Sequence, residues 1–272
     1  MLFRRLVELA CRKISFWRRL PAEFGRRPIM ASPDAALRWL RVSARAFDAH
    51  LLDIGRDVRP DDIVWDIGAN VGLFSLIAAH QSQQPVLAIE ADKWLAGLIE
   101  RTARANADRQ LSIVSVAIGA RPGVGEFAVA SRGRSANGLI SGVLSTQTGG
   151  AREVRAVRVE TLDGLLRNRA APSLVKIDIE GGELDALRGA DRLLREVRPR
   201  IIVEIAAANF DLVRELLAGY RYTLRRVEGD NFEATHEMEP GGAQECRTGE
   251  RGLIVPSCSI NEYATPLLAK AG

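Results

Sequence analysis

The stretch Val64-Trp65-Asp66-Ile67-Gly68-Ala69-Asn70-Val71-Gly72-Leu73 decides the fold. Ile63–Ile67 is a short, β-rich apolar run, and the apolar segment Leu73–Ala79 after it has the length and composition of a helix. Between them lie two glycines. Such a strand–glycine turn–helix unit opens a parallel sheet, because parallel strands need a crossover, usually a helix.

Working outward, the same rhythm repeats. Val86–Glu90 is a second strand, followed by a helix through Leu95, Leu98, Ile99 and Thr102. Leu111–Ala117 predicts a third strand and Leu174–Asp178 a fourth, the latter leading into a helix that carries Leu184, Leu187, Leu193 and Leu194. Ile201–Ile205 is a fifth strand, and Phe210–Leu217 a helix stopped by Gly219. Short, continuously apolar strands with helices between them predict an α/β fold whose sheet is covered on both faces. Ligands of such sheets sit beyond the carboxyl ends of the strands, where strand order reverses. One segment departs from the alternation: Gly125–Ala130 and Arg155–Glu160 predict strands flanking a polar, glycine-rich loop over 131–150, and a connection of that length is often functional.

The spacing of the turn narrows the ligand. A dinucleotide fingerprint requires G-x-G-x-x-G, and Asp66 stands where its first glycine belongs. A carboxylate there repels pyrophosphate. S-adenosylmethionine carries an ammonium and a sulfonium and no phosphate, so an acidic turn suits it. Gly68 and Gly72 permit close backbone approach, and Asn70 is placed to orient the amino-acid portion of the cofactor. Glu90 ends the second strand, where a carboxylate accepts hydrogen bonds from ribose hydroxyls. Asp66, Gly68, Asn70, Gly72 and Glu90 are therefore the expected cofactor-binding set.

Taken with VWDIGANVGLFSLIAA at 64–79, AIEAD at 88–92, Asn106, ETLDGLL at 160–166, LVKIDIEGGELDALRGA at 174–190 and RPRIIVEI at 198–205, the chain resembles the FkbM family of methyltransferases over about residues 60–220. Ala91 stands where that family usually has proline after the ribose-binding acid. The resemblance implies a class I methyltransferase, Rossmann-like fold: a mostly parallel seven-stranded sheet with helices on both faces and its last strand antiparallel. It also implies methyl transfer from S-adenosylmethionine to a hydroxyl of a sugar, polyketide or other natural product.

A hydroxyl is a poor nucleophile until it loses its proton, so a base is expected beside it. Asp178 and Glu180 follow the fourth strand, and Glu204 lies near the end of the fifth. Asp178 is the first candidate to position or deprotonate the acceptor, Glu180 the second, and Glu204 orients substrate. Lys176 shares a strand face with Asp178 and is placed to tune it or to bind an acceptor oxygen. Glu183 reads as an ordinary helix N-terminal acid. No metal-ligand set is legible.

The rest of the sequence sets bounds. A net charge of +4 among 272 residues is too small to argue for nucleic acid. Cys11, Cys246 and Cys258 offer no disulfide framework or zinc pattern, which fits a reducing, cytoplasmic setting. In residues 1–20, Phe3, Leu6, Val7, Ala10, Ile14 and Trp17 recur at helical spacing opposite arginines and Lys13. This predicts a basic amphipathic helix, packed on protein or lying at the inner face of an anionic membrane. Pro21, Pro28 and Pro33 then read as a linker. The expected organisation is an N-terminal extension over 1–45, a methyltransferase domain over 46–260 and a tail over 261–272. Two other functions compete: an NAD-dependent oxidoreductase, opposed by Asp66, and a non-catalytic adenosine-cofactor or interaction module, opposed by Asp178 and Glu180.

Overall fold

The structure is a computed structural model that describes residues 10–12, 14–41, 46–131, 133–140 and 150–237. Its centre is a seven-stranded sheet built on β3 (Val64–Ile67), the strand that opens the glycine turn. On one side of β3 lie β4 (Val86–Ile89) and β5 (Leu111–Val114), and on the other β10 (Leu174–Ile177) and β11 (Arg200–Glu204), all parallel. The last strand, β13 (Asn231–His236), inserts antiparallel between β11 and the edge strand β12 (Tyr222–Glu228). The architecture is the class I methyltransferase sheet that the resemblance implied.

The helices follow from composition. The α2 helix (Leu73–Gln81) is buried along Leu73–Ala79 and is accordingly apolar nearly all round. The α3 helix (Lys93–Ala105) shows one apolar stripe through Leu95, Leu98, Ile99 and Thr102, and Asp92 caps it by accepting from the Trp94 N–H at 2.9 Å. The helix expected to run from Leu184 through Leu194 is two pieces. Its first, Glu183–Arg188, stops at Gly189, where a Cβ would lie 2.5 Å from the Gly119 carbonyl oxygen, so the backbones meet there. The third expected strand also divides: Leu111–Val114 stays in the main sheet, while β6 (Ala117–Ile118) joins β9 (Ala151–Glu160), β7 (Gly123–Ala130) and β8 (Gly138–Leu139) in a second, four-stranded sheet.

The expected amino-terminal helix does not continue through its second half. Phe16–Arg19 is a strand, β1, paired antiparallel with β2 (Pro28–Ala31), with Trp17 opposite Met30. The sequence Phe-Trp-Arg-Arg satisfies helical spacing with the residues before it, but its partner strand decides the outcome. Ile29, Met30 and Ala31 are fully buried. The Met30 N–H donates to Thr102 Oγ1 at 2.9 Å, and Asn106 Nδ2 donates to the Pro28 carbonyl at 2.9 Å. The proline-punctuated linker is thus an ordered hairpin locked onto α3. The remainder of the expected helix, residues 1–9 and 13, lies outside the described residues, as do half of the loop 131–150, the end of the expected domain from 238 on and the expected tail 261–272. Among the described residues no helix is long and apolar enough to cross a membrane.

Candidate active site

Register alone aligns the site. Ile67 at the end of β3 lies level with Ile89 of β4 and with Ile177 of β10, and Ile177 lies level with Val203 of β11. The next residue on each strand is therefore Gly68, Glu90, Asp178 and Glu204. Order reverses at β3, so the crevice opens over its carboxyl end. A cavity of about 440 Å³ occupies that place, lined by all of Asp66, Gly68, Asn70, Glu90, Lys176, Asp178, Glu180 and Glu204. Gly72, the remaining expected residue, lies behind the turn, where a Cβ would crowd Ile99 Cγ2 at 3.1 Å.

Gly68 is required on two counts. Its φ is +80°, and a Cβ there would stand 1.9 Å from the Asp178 carbonyl oxygen. The ends of β3 and β10 are in backbone contact there, and the turn's own amides are tied to β4: the Gly68 and Ala69 N–H groups donate to the Ile89 carbonyl at 2.9 and 3.0 Å. Asn70 also adopts the left-handed region, at φ +55°. That turns its N–H toward Glu90 Oε2, at 2.8 Å, while the Asp92 N–H donates to Oε1 at the same distance. Burial pushes the Glu90 carboxyl up to about 8, although both amides favour its ionised form.

On the other side of the turn is a buried charge cluster. Asp66 is fully buried; its Oδ2 accepts from Ser75 Oγ at 2.5 Å. Lys176 Nζ stands 3.6 Å from Asp66 Oδ1 and 3.1 Å from Asp178 Oδ2. Lys176 and Asp66 are level in register, and Asp178 is two residues on along the same strand face, so one ammonium bridges both acids. Burial opposes the Lys176 charge, but the two carboxylates overcome it and hold the ammonium well above its usual range. Burial likewise opposes ionisation of Asp178, yet Lys176 and a hydrogen bond from Glu204 keep it low. The proton of that pair therefore resides on Glu204, pushed up to about 8 by burial and by the Asp178 charge. Glu180 sits exposed at the rim at φ +54°, and the protein packed beneath it and the neighbouring acids raise it to about 7. Glu183 points inward instead: Oε1 accepts from the Ile179 and Gly181 N–H groups at 3.1 and 3.0 Å and staples the turn that carries Glu180.

A model of the methyltransferase FkbM domain matches residues 66–224, more than half of the chain. The chain belongs to the FkbM methyltransferase family. Among curated relatives, the hexuronic acid methyltransferase AglP of Haloferax volcanii is 27% identical over 154 residues, which make up 56% of this chain. The match spans only 59% of that protein's length. Among solved structures, the FkbM methyltransferase of Methylobacillus flagellatus KT aligns with a TM-score of 0.45 at 17% identity, over 65% of this chain and 44% of that one. The magnesium protoporphyrin IX methyltransferase of Synechocystis PCC 6803 aligns with a TM-score of 0.41 at 14% identity, over 70% and 76%. Family membership sets aside the oxidoreductase reading.

Several cavity residues of this FkbM-family chain were not singled out from the sequence. Arg38, Asp48 and His50 approach from the segment before β3, outside the family match, and Arg134 and Asn137 from the glycine-rich segment. Asp48 caps the α1 helix (Ala49–Arg56) through the His50 N–H, and N-x-x-type capping signals are too common to mark a site. Arg134 had no distinguishing neighbour in sequence. Its partners, Asp34 and Asp92, are distant in the chain and become visible only when folded. Among the described residues no group of three or more His, Cys, Asp or Glu side chains is arranged to hold a metal.

Proposed function

We propose that this FkbM-family chain binds S-adenosylmethionine over the β3 turn and transfers its methyl group to a hydroxyl oxygen of a small acceptor, a sugar or other natural product. The observation that carries the reading is the levelling of Gly68, Glu90, Asp178 and Glu204 at the strand-order reversal, which puts a close-approach glycine turn and a hydroxyl-accepting acid beside a proton-handling cluster.

The residues fit the cofactor. A volume of about 440 Å³ is within the range of small-molecule pockets. Each Glu90 oxygen has one lone pair engaged by an amide and retains another for a ribose hydroxyl. Asp66 Oδ1, buried without a close hydrogen bond and facing the Lys176 ammonium at 3.6 Å, puts a carboxylate in the cavity wall that is hostile to pyrophosphate. Bound S-adenosylmethionine supplies the methyl group on a cationic sulfur. The chain's own task is alignment, which is worth about 7–11 kcal/mol when reacting atoms are held in line. Asp178, kept ionised by Lys176, accepts the hydrogen bond of the acceptor hydroxyl and orients it; Glu204, carrying a proton, orients a second acceptor oxygen. Glu180, raised to about 7, is matched to take the proton near neutral pH. That the relative AglP is a hexuronic acid methyltransferase supports a sugar acceptor.

Calorimetry with S-adenosylhomocysteine tests the cofactor half, and radiolabelled methyl transfer to a panel of hexuronic acids and their glycosides tests the acceptor half. Absence of S-adenosylhomocysteine binding sinks the reading. Glu90→Ala is expected to weaken that binding by at least about 1.5 kcal/mol, the scale of one charged hydrogen bond. The pH dependence has a definite sign. With the folded-state value near 8, ionisation of Glu90 is opposed in the empty protein, whereas ribose hydroxyls favour the carboxylate. Affinity should therefore rise as pH increases through about 8, and this rise should vanish in Glu90→Ala.

A further inference from the structure

The glycine-rich segment contributes a feature that the methyl-transfer reading does not use. Arg134 is 4% exposed, although it belongs to the connection between β7 and β8. Its Nε donates to Asp34 Oδ2 at 2.8 Å, an Nη pairs with Asp92 Oδ2, and its guanidinium lies 4.7 Å from the centre of the Trp94 ring. Asn137, three residues on, donates from Nδ2 to the same Asp92 oxygen at 2.9 Å. The backbone is tied as well: the N–H groups of Arg134 and Ser135 donate to the carbonyls of Asp34 and Ala35 at 2.8 and 3.2 Å. At its far end the segment reaches the acceptor turn, where a Cβ on Gly138 would stand 3.6 Å from the Glu180 carbonyl oxygen.

This arrangement is costly unless it is complete. Asp34 and Asp92 are both buried carboxylates, and an unpaired buried charge is strongly unfavourable. Burial alone would push Asp34 up, but Arg152 and Arg134 hold it below the usual carboxylate range. Asp92 has a further duty. Its main-chain N–H is one of the two amides that hold the Glu90 carboxylate, and its side chain caps α3. Whatever fixes Asp92 fixes the corner that would hold the ribose.

We propose that Arg134 is a positioning residue for the cofactor's ribose: by binding Asp34 and Asp92 at once it straps residues 133–139 across the cavity and sets the Asp92 amide against Glu90. Arg134 acts through Asp92 and Glu90. The proposal rests on the cofactor reading above, and the experiment separates the two.

S-adenosylhomocysteine binding is measured by calorimetry on the full chain for wild type, Arg134→Met, Arg134→Lys, Glu90→Ala and the two double variants, at a temperature where circular dichroism shows each folded. Arg134→Lys keeps the charge and loses the two-carboxylate fork and the ring stacking, so it serves if Arg134→Met fails to fold. The expected result is a loss of about tenfold or more in affinity for either Arg134 variant, which shrinks to near nothing in the Glu90→Ala background. A purely structural role lowers the melting temperature and leaves the affinity of the folded protein unchanged, which overturns the proposal. An equal loss in both backgrounds overturns it too, because Arg134 would then act on the ligand independently of Glu90. If wild type itself fails to bind, the cofactor reading falls first and this inference with it.

Discussion

Lys176→Met is expected to destabilise the protein by about 3–5 kcal/mol at pH 7, the scale of breaking a buried ion pair by removing one partner. Methionine fits the space, so the loss is electrostatic rather than a cavity. Asp66, fully buried, would keep Ser75 as its only hydrogen-bond donor, and Asp178 would lose the ammonium 3.1 Å away. Burial already pushes Asp66 upward with Lys176 in place, so without it Asp66 must take up a proton to stay folded. The sign with pH follows. A carboxyl whose folded-state value is raised costs stability as pH climbs above its unfolded value near 3.9. The variant should therefore recover toward wild type as pH falls from about 7 to 5. Denaturant titrations at the two pH values check this. Equal stability of variant and wild type at pH 7, or a gap that widens on acidification, would refute the account of Lys176 as the shared counter-charge of Asp66 and Asp178.

The parts of the site that could be read in the sequence are those fixed by short-range geometry. Asp66-x-Gly68 lies on one turn, Lys176-x-Asp178 on one strand face, and Glu90 and Glu204 on strand ends. A parallel sheet converts each of these positions into a place beside the crevice, because the strands are in register at the switch point. Three things were not legible. Phe16–Arg19 forms a strand because Pro28–Ala31 returns beside it, and that partner is held by the hydrogen bond from the Met30 N–H to Thr102 Oγ1, not by local periodicity. The Arg134 clasp joins residues separated by 100 and 42 positions, a distance at which sequence spacing carries no information without an aligned family. The division of labour among the acids was equally hidden. Asp178 and Glu204 look alike at two strand ends, but only the folded protein places an ammonium beside the first and leaves the shared proton on the second.

That division of labour makes Asp178→Asn the sharpest test of the chemistry. The substitution preserves shape and size, removes the negative charge that faces Lys176 and replaces one carboxylate oxygen with an amide nitrogen that donates instead of accepting. In the proposed site the acceptor hydroxyl loses the group that orients it, and Glu204, raised first by burial, loses the neighbouring charge that raises it further. Removing a positioned acid–base group costs about 10²–10⁴-fold in rate, and methyl transfer should fall within that span. Cofactor affinity should be nearly unchanged, because Asp178 lies across the turn from Glu90 and its carbonyl, not its carboxylate, touches Gly68. Glu180→Gln offers the complementary reading. If Glu180 takes the proton, the rise of turnover through pH 7 expected of wild type disappears in that variant and persists in Asp178→Asn at lower amplitude and shifted to lower pH, because the Asp178 charge helps burial to raise Glu180. Should Asp178→Asn retain wild-type turnover with a measured acceptor, Asp178 is a support for Lys176 and Glu204, and the hydroxyl must be held from the His50 side of the cavity. Should it lose S-adenosylhomocysteine binding along with turnover, the carboxylate belongs to the cofactor pocket, and the acceptor lies beyond Glu180 at the rim.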